Sequence, residues 1–217
     1  MSSTSPEIII FIQTIIFLTI VFLQLAKKNS GAVWLYATQS AAVAALLFLS
    51  ADRATALLPA IVGATILVKV IFAPTFFLRL IKKHQLTFSA STYLNAPLTL
   101  LSIGILLALA KILFTPLVLA LAPDRPYPMI LSLAGILISL LLLANRKGAL
   151  SQMIGVLSLE NNIVSFALLS GLEQSASLEL GILFILCIWI VIATVFAAMM
   201  YKHFGSLDVS AMKELTE

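Results

Sequence analysis

The sequence predicts an all-α fold: a polytopic transmembrane helix bundle of about seven spans, with the N-terminus outside and the C-terminus cytoplasmic. Three observations predict it. The 217 residues are 61% hydrophobic and only 10% charged, with a mean hydropathy of +1.13, which no soluble domain of this size matches. Apolar stretches long enough to cross a hydrocarbon core of about 30 Å recur along the chain. The basic residues, finally, alternate between its connections in the way that membrane topology demands.

The spans fall at roughly 7–26, 31–50, 54–78, 98–122, 127–144, 149–171 and 180–201. The start Met1–Pro6 lacks a basic segment and a small-residue cleavage site, so span 1 reads as a retained anchor rather than a signal peptide. Span 98–122 is long and contains Pro116, so it is expected to be tilted or broken. Connections after spans 1, 3 and 5, with the tail, hold Lys27, Lys28, Arg79, Lys82, Lys83, Arg146, Lys147, Lys202 and Lys213. The opposite side holds only Arg53 and Arg125, with Asp52, Asp124, Glu173 and Glu179. This split sets the orientation and explains the net charge of +4 without nucleic acid. One domain over 1–202 and a short cytoplasmic tail over 203–217 complete the organisation. The longest connection, Arg79–Pro97, is an interfacial amphipathic or docking segment, or an ordered loop anchored by its lysines. Trp34, Tyr36 and Tyr201 lie near span ends and read as interfacial aromatics. Cys187 stands alone, and His84 and His203 lie far apart outside the apolar cores, which argues against a metal or haem site. No phosphate loop, nucleotide fingerprint or nucleophile–base pair occurs.

Three charges lie near span centres: Lys69, Lys111 and Glu160. Each is about 15 Å deep, beyond the ~6 Å that a lysine stem spans. Charge at that depth costs ~2.5–3.5 kcal/mol on insertion scales and marks function by default. Lys69 and Lys111 share a pattern, Lys69-Val-Ile-Phe-Ala-Pro74 and Lys111-Ile-Leu-Phe-Thr-Pro116, in spans of opposite direction. The pattern is an inverted repeat or, more simply, chance similarity over six residues in an apolar background. Either way, Pro74 and Pro116 break the helix ladder at the carbonyls of Val70 and Ile112, which a buried amine next door can use. Burial disfavours a charged amine, so these lysines are candidates for proton exchange; the alternative is a lysine that pairs with a carboxylate and fixes packing.

Glu160 is the one acid in an apolar core and the one internal counter-charge for either lysine. Ser158, Asn161, Asn162 and Ser165 give its span one wet stripe, and Gly155 admits a close neighbour. The carboxyl can relay protons from that stripe, with Asn161 beside it, or remain protonated as a packing group. Gln13, Thr14, Thr38, Gln39 and Thr65 are expected to be interhelical hydrogen-bonding groups more than pathway members.

At Asn145-Arg146-Lys147, Met153-Ile154-Gly155 and Glu160-Asn161, the chain resembles the E component of hydrogenase-4, a membrane subunit of formate-hydrogenlyase-type [NiFe] hydrogenases. The similarity runs over most of the chain, including Tyr36, Gln39-Ser40, Lys69 with Pro74, and Gly205-Ser-Leu-Asp-Val209. Residues 145–217 also resemble the small K subunit of respiratory complex I. That subunit's first glutamate would fall on Leu157; here Glu160 follows three residues later on nearly the same face. Its second glutamate has no counterpart, since nothing acidic occurs between Glu179 and Asp208.

The resemblance implies a non-catalytic subunit of an energy-converting complex in the cytoplasmic membrane, moving protons or ions through Glu160, Lys69, Lys111 and Asn161. It implies no cofactor in this subunit, with [NiFe] and iron–sulfur centres in partner chains. The implied partners are antiporter-like membrane subunits and a peripheral redox module. Two rivals remain: a small subunit of a multisubunit cation/proton antiporter, and a purely structural membrane scaffold.

Overall fold

A computed structural model describes residues 5–50, 58–83 and 92–171. The expected seventh span at 180–201, the tail, Cys187, His84, His203 and the middle of the 79–97 connection lie outside the described residues.

Among the described residues the chain is all-helical: α1 (Pro6–Leu25), α2 (Asn29–Ser50), α3 (Leu58–Thr65), a π-helical segment (Ile66–Phe72), α4 (Ala73–Lys83), α5 (Ala96–Leu121), α6 (Pro126–Asn145) and α7 (Ala149–Leu169). With α3, the π segment and α4 forming one continuous rod, six helices are long and apolar enough to cross a membrane. Proline opens α1, α5 and α6, where its missing N–H costs nothing. Asn95 caps α5, its Oδ1 accepting from Leu98 N–H at 3.0 Å.

Two boundaries differ from expectation. The third rod runs to Lys83 rather than ending near Leu78, so Arg79, Lys82 and Lys83 are helical. Their long stems let the helix continue while the charges reach water. The helix α5 is unbroken through Pro116, although the Thr115 hydroxyl donates to the Lys111 carbonyl one turn back.

Packing is set by α1, α2, α6 and α7, with α5 against α6 and the π segment against α2. Two apolar cores result. One gathers Ile20, Leu23, Val33, Tyr36, Phe77, Ile138, Leu142 and Leu157. The other gathers Ile9, Ile12, Ile16, Val43, Leu46 and Leu169. Tyr36 is fully buried in the first, so it is a core residue and not an interfacial aromatic; Trp34, two residues earlier on the other face, is exposed.

Near one end, the connections after α1, α4 and α6 meet. Tyr93 N–H donates to the Asn145 carbonyl at 3.0 Å, and Leu94 N–H to Asn145 Oδ1 at 2.7 Å. Lys147 stands 4.7 Å over the Tyr93 ring. Arg146 is buried, and its Nη2 donates to the carbonyls of Leu23, Gln24 and Ala26 at 2.8, 2.9 and 3.0 Å. Those carbonyls close the end of α1, where the helix dipole favours a cation. Burial pushes the guanidinium down from its ordinary range.

Candidate functional site

The two cores leave a polar belt between them. Along α2, Tyr36 belongs to one core and Val43 to the other, with Gln39 and Ser40 between. Along α7, Leu157 and Leu169 play the same parts around Ser158, Asn161, Asn162 and Ser165, all four buried. The belt crosses the middle of the bundle, where buried polar groups are costly unless paired, and most of these pair with one another.

Lys69 enters this belt from the π segment and is 2% exposed. Its ammonium donates to Glu160 Oε2 and to Asn161 Oδ1 at 3.1 Å. This is the one ion pair within the described residues. Asn161 Nδ2 donates in turn to Ser40 Oγ at 2.9 Å and Gln39 Oε1 at 3.4 Å. Ser158 Oγ donates to Gln39 Oε1 at 2.7 Å, and Gln39 Nε2 reaches the Ile16 carbonyl at 3.5 Å. Towards the second core, Ser165 Oγ donates to Gln13 Oε1 at 2.5 Å. A side branch ties α7 to α6, with Asn162 Nδ2 donating to Ser139 Oγ at 3.1 Å.

The backbone explains why Lys69 reaches so far in. In an α-helix, the Pro74 ring would press on the Val70 carbonyl. The chain widens instead, and Ala73 N–H donates to the Val68 carbonyl five residues back. A π turn of this kind re-aims the side chains around it and is frequent at functional sites. The lysine amine takes the carboxylate and the amide, not the Val70 carbonyl, because a charged acceptor makes the stronger hydrogen bond.

Glu160 differs from its partner in exposure. Its side chain is 21% exposed, and its neighbours one turn away, Val156 and Ile163, are exposed. The carboxylate lies at the rim of the belt: Oε2 holds Lys69, while Oε1 is itself buried and makes no hydrogen bond among the described residues.

Of the residues singled out from sequence, Lys69, Glu160, Asn161 and Pro74 come together. Lys111 and Pro116 do not join them; Lys111 is on the exposed side of α5. The two proline motifs also fold differently, one π-helical and one α-helical. Thr14 and Thr38 bond back to their own helices, to the Ile10 and Trp34 carbonyls at 2.7 and 3.0 Å. Gln39 and Ser40 do more than a generic interhelical contact, since they orient the lysine's amide partner. Their signal was a Gln-Ser pair ten residues into an apolar span. Gly155 admits Leu143 of α6, as its lack of a side chain suggested. Among the described residues, no three His, Cys, Asp or Glu side chains gather. Comparison with known protein families, with curated proteins and with solved structures finds no match for this chain.

Proposed function

We propose that this chain is a non-catalytic, cofactor-free integral subunit of an energy-converting complex in the cytoplasmic membrane, related to complex I and hydrogenase-4, and that it contributes to proton or ion translocation. It would cross the membrane seven times, N-terminus outside. One observation carries the reading: a lysine–glutamate pair at mid-depth, with the lysine buried and one glutamate oxygen buried without a hydrogen bond among the described residues, joined to a polar belt through Asn161. A proton delivered to Oε1 would neutralise the carboxylate and weaken its hold on the Lys69 amine. The sequence resemblance supplies the class of complex, with [NiFe] and iron–sulfur centres in partner chains. A small subunit of a cation/proton antiporter would use the same pair, and iron or nickel in co-purifying partners separates the two.

The scaffold reading draws on a specific observation as well: Lys69 has two side-chain acceptors, as a static cross-link would. Glu160→Gln decides. It keeps shape and most hydrogen bonding but cannot ionise. Proton translocation by vesicles containing the assembled complex should fall about tenfold or more at normal subunit levels, with Glu160→Asp milder. Full pumping by the Gln variant would leave only the scaffold.

A further inference from the structure

We propose that the outward face of α5 docks a transmembrane helix of another subunit, and that Lys111 anchors it by pairing with an aspartate or glutamate carried at mid-depth by that helix. The inference rests on the reading of the chain as a subunit of a membrane complex.

Among the six spans of the described residues, α5 is the least covered: 17% of its most apolar stretch is buried, against 39% or more in the other five. Its outward face presents Leu101, Ile105, Ile112 and Leu113, all exposed. Taken alone, such a face suits lipid. Lys111 breaks it, exposed among these side chains, fifteen residues after Ala96 and ten before Leu121. At ~1.5 Å per residue, its Cα lies ~15 Å from the nearer helix end. Helical side chains lean towards the N-terminus, away from that nearer end, and the other end is ~22 Å off. A stem of ~6 Å closes neither distance, so the amine cannot reach headgroup phosphates or water by snorkelling.

The chain holds no acid to meet it. Glu160 belongs to Lys69. Of the other acids, Glu7 lies in the first turn of α1 and Asp124 between α5 and α6; Asp52, Glu173, Glu179, Asp208, Glu214 and Glu217 fall outside the described residues, and the apolar stretch 180–207 contains no acid. Hydrocarbon offers an ammonium nothing. A second copy packed through α5 would set Lys111 against Lys111. A foreign helix with a mid-depth carboxylate satisfies both the charge and the apolar surface around it.

The test uses the full chain, affinity-tagged and expressed in its native membrane, with a photo-reactive benzoylphenylalanine replacing Ile112. Irradiation should yield an adduct with another membrane protein that has Asp or Glu in the middle of an apolar span. Lys111→Glu should cut that adduct about tenfold or more, Lys111→Arg should keep it, and changing the partner's acid to Lys should restore it to the Glu variant. Three results overturn the proposal while leaving the complex reading intact: lipid adducts alone on a chain that still retains its partners, an adduct with a second copy, or a yield indifferent to Lys111→Glu at normal chain levels. A tagged chain that retains no membrane partner at all overturns both.

Discussion

A methyl group added at Gly135 would overlap the Asn162 side-chain oxygen. Asn162 cannot swing away cheaply, because its Nδ2 holds Ser139 Oγ at 3.1 Å and the Ser158 carbonyl at 2.9 Å. Gly135→Ala should therefore destabilise the detergent-solubilised chain by about 1–3 kcal/mol, read as a lower thermal midpoint. In an Asn162→Ala background the same substitution should cost almost nothing, since the clash is gone. Arg146→Met removes a buried cation from three carbonyls and should cost about 3 kcal/mol by the same measurement. At this scale the sequence is half legible. Lys69 and Glu160 stand out because charge is rare in an apolar background. In the sequence Arg146 looks like any other basic residue of a connection, and only the fold shows it turned inward onto α1. Gln39 is equally mute: a glutamine in a span announces a hydrogen bond but not its partner.

Elements are more legible than their irregularities. Six spans appear close to where hydropathy puts them, because length and apolarity together decide what crosses a bilayer. The π segment was hidden, since Pro74 signals a broken ladder without saying whether the helix kinks, unwinds or widens. Its role can be tested by deleting Val70, which should let the rod return to α-helical winding. The flanking halves should keep their register, since the widened turn absorbs the extra residue, while Lys69 within it moves around the helix axis. Lys69 would then leave Glu160, and a short bifunctional thiol reagent should no longer link Lys69→Cys to Glu160→Cys in a Cys187→Ser background. Unchanged linking would mean that the widened turn does not aim the lysine.

On the scale of the whole molecule, three connections meet near one end, and the basic-residue pattern predicts that this end faces the cytoplasm. Thiol labelling settles it: Lys83→Cys should react only from the cytoplasmic side and Asp124→Cys only from outside, both in Cys187→Ser. Labelling from one common side would refute the alternating topology. The two cores with a polar belt between them were not legible, because each span shows its own wet positions but not their shared height. The Arg146 contacts also have a consequence in time. Arg146 lies 120 residues after Ala26, the last carbonyl it caps. At ribosomal speeds of about 5–20 residues per second, α1 is complete some 6–24 s before its cap emerges. Through that interval the carbonyls at the end of α1 lack the guanidinium that later binds them. Arrival of the α6–α7 connection closes it, so a chain stalled in α6 would still display the mark of unfinished synthesis.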